Sequence, residues 1–234
     1  MKTKNKTKII TIDGPAGAGK TTVSKELSSR LGCVYVDTGS LYRAVAYEVC
    51  RCSVNWQDDE ELSALLSSLS FDLKLQTGGT PRLFSSGQDI TDYIRTPEIT
   101  KLSSDVSAKT LVRHALLGFQ REIARNSDAV FEGRDMGTVV FPDADHKFFL
   151  FADLKIRAIR RYSQNNNADI LQQSDAGHTQ TLAEVEEAIS KRDQNDSSRE
   201  EAPLKPADDA IMIDSTDLAP DEVVDKILSY ITAR

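Results

Sequence analysis

Ile9-Ile10-Thr11-Ile12-Asp13-Gly14-Pro15-Ala16-Gly17-Ala18-Gly19-Lys20-Thr21-Thr22 is the stretch that decides the fold. Lys8 to Asp13 is a β-branched run that breaks at Gly14-Pro15, the pattern of a short buried strand. Lys20 to Leu31 carries Val23, Leu27 and Leu31 at four-residue spacing, which predicts a helix closed by Gly32. Between them, Gly14 to Thr21 satisfies GxxxxGK[ST] at every fixed position, in the strand–loop–helix context the motif requires. Glycines let successive backbone N–H groups converge on an anion without Cβ clashes. The helix N-terminus adds the positive end of its dipole. The loop residues Gly14, Pro15, Ala16, Gly17, Ala18, Gly19, Lys20, Thr21 and Thr22 are therefore expected to hold a nucleoside triphosphate. Lys20 is expected to bridge its terminal phosphates, and the Thr21 hydroxyl to ligate Mg²⁺.

Outward from this stretch, four more short apolar segments read as core strands: Val34 to Val36, Ala129 to Glu132, Lys147 to Phe151 and Ala210 to Asp214. Helical periodicity fills the spaces at Leu41 to Cys52, Leu111 to Arg125, Leu154 to Arg161, Leu182 to Arg192 and Asp221 to Ile231. Alternating strands and helices predict an α/β fold, a doubly wound five-stranded parallel sheet behind a phosphate loop. Such sheets bind ligands beyond the carboxyl ends of their strands, here at Asp13, Asp37 and Glu132.

The alternation breaks once. Asp58 to Leu69 reads as a small helix, and Phe71 to Leu75 alternates apolar and polar like a half-solvated antiparallel strand. Gly78-Gly79-Thr80-Pro81 is a turn, and Arg82 to Phe84 the returning strand. The expected organisation is a core at 8–59 and 106–231, an inserted unit at 60–105, and a lid region at 155–200 within the core. Asn165 to Asn167 and Gln172 to Gly177 read as polar, flexible tracts of low complexity.

With 234 residues, 39% hydrophobic and 28% charged, the chain is long enough for one domain and an elaboration, and its composition excludes collagen, wholesale disorder and a disulfide scaffold. A basic tail, Lys2 to Lys8, precedes the first strand, but the apolar run after it is too short for a signal peptide, and no stretch suits a membrane helix. Cys33, Cys50 and Cys52 are odd in number and lack metal or redox spacing; they read as reduced thiols of a cytoplasmic protein. A net charge of −7 argues against nucleic acid or membranes as partners, and the reading is of a monomer acting on small molecules.

A guanine-reading [NT]KxD motif is missing after the loop, which argues against a GTPase switch. Phe131-Glu132-Gly133 does not resemble the acidic strand of a motor ATPase. A kinase of small phosphorylated molecules fits better, because such an enzyme needs an acceptor-binding unit and a lid that exclude water. Arginines recur at the expected ligand edge: Arg43, Arg113, Arg134, Arg192 and Arg199. The planar guanidinium grips phosphate bidentately and stays charged. Arg192 and Arg199 are seven residues apart, about two helical turns, and Asp196 between them could orient both.

Taken together, these segments resemble the bacterial cytidylate kinase family, from Ile9 to about Ile231. The specific segments are Asp37-Thr38-Gly39-Ser40-Leu41-Tyr42-Arg43 and Gly133-Arg134-Asp135-Met136-Gly137-Thr138, followed by Arg192-Asp193 to Asp196, Arg199 and Ala202-Pro203-Leu204. The resemblance implies transfer of the γ-phosphoryl of ATP to CMP or dCMP, with Mg²⁺. It implies that Thr38 and Tyr42 line the monophosphate site and that Arg43, Arg134 and Arg192 hold its phosphate. It further implies that Ser104 and Arg113 meet the cytosine edge, and that Asp135 and Asp196 bind pentose hydroxyls with Arg199 alongside. Arg160 would lie near the donor's adenine, and Lys20, Arg134, Arg192 and Arg199 would serve the transfer itself.

Overall fold

The computed structural model describes residues 7–74, 81–172 and 180–233, with the backbone alone for 166–172. Residues 1–6 of the basic tail, the Gly78-Gly79-Thr80 turn and nearly all of the Gln172–Gly177 tract lie outside the described residues. In chain order the main elements are β1 (Ile9–Asp13), α1 (Lys20–Leu31), β2 (Val34–Asp37), α2 (Thr38–Arg51), α3 (Asp59–Ser68), β3 (Phe71–Lys74), β4 (Arg82–Ser85) and β5 (Gln88–Asp89). They continue with α4 (Pro97–Val106), α5 (Thr110–Ile123), β6 (Ala129–Gly133), β7 (His146–Phe151), α6 (Leu154–Gln172), α7 (Leu182–Ser197), β8 (Ile211–Asp214) and α8 (Pro220–Thr232).

The expected five-stranded parallel sheet is present, in the order β2-β6-β1-β7-β8. β1 lies at its centre, paired with β6 from Ile9↔Ala129 to Asp13↔Gly133 and with β7 from Ile10↔His146 to Asp13↔Phe149. Every residue of β1 and β6 is buried, as strands covered on both faces require. On one face Val23 and Leu27 of α1 pack with Val223, Val224, Ile227 and Ile231 of α8 over Ile10, Ile12 and Phe148. On the other, Val36, Phe131, Met136 and Val140 form a second layer.

A separate antiparallel sheet, β3-β4-β5, carries the alternation seen in the sequence. Its Leu83 joins Leu62 and Leu65 of α3, Ile90, Ile94, and Leu41 and Val45 of α2 with Val112 and Leu116 of α5 in one apolar cluster. This packing seats the small sheet beside the carboxyl edge of the large one.

Two helices differ from expectation. α2 starts at Thr38 rather than Leu41, because the Asp37 side chain accepts the Ser40 N–H and caps it there. α6 runs on to Gln172, so Asn165 to Asn167 are helical rather than loop. Asparagine is a weak helix former, and continuation of the preceding turns overrides it.

Gly14 turns the chain out of β1 at φ +145°, and a Cβ there would stand 1.9 Å from the Leu150 carbonyl oxygen of β7. No rotamer relieves a clash with backbone. Gly14→Ala should therefore cost about 2–3 kcal/mol, read as a fall of roughly 5–10 °C in the thermal midpoint by calorimetry.

Candidate active site

The phosphate loop leaves the central strand and opens α1, with Gly19 in the left-handed region at its N-cap. Lys20 is 7% exposed and its Nζ donates to the Pro15 carbonyl at 2.7 Å. Burial, then the charges of Arg134 and Arg192, push its pKa well below the ordinary value. The Thr21 hydroxyl donates to Glu132 Oε1 at 2.8 Å, while the buried Oε2 has no hydrogen-bond partner among the described residues. Burial and the Asp37 charge raise Glu132 to about 7. Asp13 ends β1 and accepts the backbone N–H groups of Met136 and Gly137 at 2.9 and 2.7 Å. It thereby pins the turn that carries Arg134 and Asp135; burial raises its pKa to about 6. Arg160 of α6 donates to the Ser215 and Thr216 carbonyls, and Ser215 in turn donates to the Ala18 carbonyl at 3.1 Å. Thr22 is exposed on the first turn of α1.

Across the loop, one carboxylate organises two arginines. Asp196 of α7 accepts from Arg134 Nε at 2.9 Å and from Arg199 Nη2 at 2.5 Å. Burial raises its pKa, but Arg134, Arg199 and Arg192 outweigh that and hold it below the usual range. The sequence reading had Asp196 orient Arg192 and Arg199; its hydrogen bonds go to Arg134 and Arg199 instead. Arg134 follows β6 directly, so its side chain reaches across the sheet edge to α7. Arg199 also donates to the Ser107 hydroxyl at 3.0 Å. Ser104, half-buried on α4, lies one turn before Ser107 and takes a bond from it on its carbonyl.

Arg113 of α5 is buried and donates to Tyr42 OH at 2.9 Å, Asp135 Oδ2 at 3.4 Å and the Ala202 carbonyl at 3.4 Å. A cavity of about 290 Å³ opens beside Tyr42, Arg113, Leu117, Gln120, Asp135 and Ala202. Burial raises the Asp135 pKa against the pull of Arg113, Arg199 and Arg134. Arg43 donates to Asp37 Oδ2 at 2.6 Å. The Thr38 hydroxyl donates to the Glu132 carbonyl at 2.7 Å and is buried, so it ties α2 to β6. Arg192 is half-buried, and its buried Nε has no partner among the described residues. Burial and the Arg134 charge lower its pKa to about 10.

Arg43, Arg113, Arg134 and Arg199 are thus linked through Asp37, Asp135 and Asp196, with Lys20 and Arg192 near enough to feel Arg134, while Arg160 is tied to the loop through Ser215 and Thr22 is exposed. The sequence places Glu132 and Asp13 at the ligand-binding strand ends but assigns neither a role, and it offers no signal for Ser107. Their partners lie too far away in the chain for spacing to reveal them; Thr21 and Glu132 are 111 residues apart.

A lysine-bearing phosphate loop facing an arginine-lined cleft defines the class, a P-loop phosphotransferase. The comparisons with known proteins narrow it. The cytidylate kinase family model matches residues 10–233. A protein of Geobacter sulfurreducens named cytidylate kinase is 44% identical over 226 residues, covering 97% of this chain and 93% of that one. One from Caldicellulosiruptor bescii with the same name is 42% identical, covering 94% and 93%. An uncharacterized protein of Eubacterium ventriosum, 14% identical, has a solved structure that aligns with a TM-score of 0.52 over 97% of this chain and 99% of that one, a likeness of fold alone. The chain belongs to the cytidylate kinase family. Among the described residues no helix is long and apolar enough to cross a membrane.

Proposed function

We propose that this enzyme transfers the γ-phosphoryl of ATP to CMP or dCMP, giving ADP and CDP or dCDP. The observation that carries the reading is the buried positive charge of Lys20 beside Arg134 and Arg192, each arginine depressing the lysine. Cations held this close, with Asp196, Glu132 and Asp13 only partly offsetting them, suit a site that receives two phosphate chains. The acceptor phosphate is already anionic, so no general base is needed; positioning and charge neutralisation do the work.

ATP lies along Gly14 to Thr22, its adenine toward Arg160, and Lys20 meets the transferring group. The acceptor phosphate is held by Arg43, Arg134 and Arg192, beside Thr38 and Tyr42. Ser104 and Arg113 read the base, while Asp135, Asp196 and Arg199 meet the sugar. The unit at 60–105 closes over the acceptor and the region at 155–200 over the donor. The chain acts as a cytoplasmic monomer on single nucleotides, its acidic surplus keeping it off nucleic acid.

Mg²⁺ fits this site: a threonine hydroxyl and an unpartnered buried carboxylate oxygen are oxygen donors of the kind the ion takes. Thr21 would hold it directly and Glu132 through its water shell, and the ion would neutralise charge between the β- and γ-phosphates. Because Glu132 titrates near 7, apparent Mg²⁺ affinity should weaken as pH falls below about 7, and Glu132→Gln should abolish that dependence in a Mg²⁺ titration. Without nucleotide the sign for stability is opposite. The folded pKa stands above the ordinary 4.5, so the Glu132 contribution is full below about pH 4.5 and lost as pH rises through about 7. Glu132→Gln should flatten that slope in thermal melts.

A coupled assay offering CMP, dCMP, UMP, AMP, GMP and shikimate with Mg-ATP tests the reading. Turnover highest with CMP or dCMP is expected; preference for any other acceptor overturns the substrate assignment. A nucleotide sensor without turnover would bind ATP and show no transfer.

A further inference from the structure

Asp193 follows Arg192 on α7, but its carboxylate faces the phosphate loop rather than the arginine cleft. Oδ1 accepts the Ala16 N–H at 3.1 Å. Arg157 of α6 donates from Nη1 to Asp193 Oδ2 and to the Ala16 carbonyl at 2.9 Å, and from Nε to the Ala152 carbonyl at 3.0 Å. The two side chains are 10% and 17% exposed, so the pair is shielded from water and salt. The loop has no slack against α6: a Cβ on Gly17 would stand 2.9 Å from the Arg157 carbonyl oxygen. Ala16 also packs against the apolar cluster of Ala158, Val185 and Ile189. One backbone unit of the loop is therefore gripped on both its N–H and its carbonyl, by two helices that are clasped to each other.

Arg192, by contrast, has no hydrogen-bond partner on its buried Nε among the described residues. It stays near enough to Lys20 to depress it. The placement of Arg192 follows from the placement of α7, and α7 is fixed to the loop one residue further on.

We propose that Asp193 is a positioning residue for phosphoryl transfer: with Arg157 it clasps α7 to Ala16 and so holds Arg192 against the acceptor phosphate beside the loop. The proposal rests on the transfer reading above. Misplacement of a transition-state group by about 1 Å can cost about 10²-fold in rate.

The test is a double-mutant cycle on the full chain with Asp193→Asn and Arg192→Ala, reading kcat, KM for ATP and KM for CMP. Asp193→Asn should lower kcat/KM for CMP by about 10²-fold with KM for ATP within about twofold. In the Arg192→Ala background it should cost less than about threefold, since the group it positions is gone. The same loss in both backgrounds overturns the proposal, because a general loosening of the fold is indifferent to Arg192. Asp193→Ser, which shortens the side chain and drops the bonds to both Ala16 and Arg157, gives the same reading if Asp193→Asn does not fold. Hydrogen exchange on the nucleotide-free protein separates the clasp from the reaction. Faster exchange along α7 in the variant is expected, and unchanged exchange overturns the clasp even if the parent enzyme transfers no phosphate to CMP.

Discussion

Arg192→Ala should lower kcat for CMP phosphorylation by about 10³-fold or more, the scale of a transition-state arginine, with KM for ATP changed little. The residue is half-buried on α7 with a buried, unpartnered Nε, and desolvation together with Arg134 has already lowered its pKa to about 10. A cation stored at that cost meets its counter-charge when phosphoryl oxygens arrive between Lys20 and Arg134. Because Arg192 also holds the acceptor phosphate before transfer, the loss should appear in kcat and more steeply in kcat/KM for CMP. Arg192→Lys should recover little, since an ammonium lacks the planar fork. Steady-state kinetics with both substrates varied decides the matter: a loss confined to KM would make Arg192 a ground-state anchor.

Arg113→Met should lower kcat/KM for CMP by about 10²–10³-fold while ATP binding stays within a few-fold. Arg113 joins Tyr42, Asp135 and the Ala202 carbonyl at the wall of the cavity. Removing one member of a buried charged group leaves the other unpaired, typically about 3–5 kcal/mol. Asp135 would then protonate more readily, its burial no longer opposed by the nearest guanidinium. Kinetics with CMP, dCMP and UMP, beside calorimetric ATP binding, separates a loss of acceptor discrimination from a general loss. Equal damage to both nucleotides would remove Arg113 from base reading.

The sheet was legible because its signals are local. Ile9 to Asp13 and Ala129 to Glu132 are β-branched and apolar, bounded by glycine, and Gly14 to Thr21 is one contiguous loop. The arginines could be named from residue type and position at the strand ends. Their pairings could not. Arg134 meets Asp196 from 62 residues away, and Arg157 meets Asp193 from 36. Local chemistry also misled at Asp37, where a cap began α2 three residues early, and at Asn165 to Asn167, where polar residues suggested a loop inside a helix. Glu132 was discounted because its neighbours match no acidic-strand pattern; only the register of β6 beside β1 brings it to Thr21.

The central place of β1 has a consequence for the order in which the protein is made. Its two neighbours are β6 and β7, whose first paired residues are Ala129 and His146, so more than half of the chain must be synthesised before this strand gains either partner. Glu132 for Thr21, and Met136 and Gly137 for Asp13, come with the same stretch. A nascent chain halted before residue 129 carries the complete loop sequence but no sheet to brace it. The loop sequence is thus complete long before the strands that brace it have emerged, so the cleft is assembled late in synthesis.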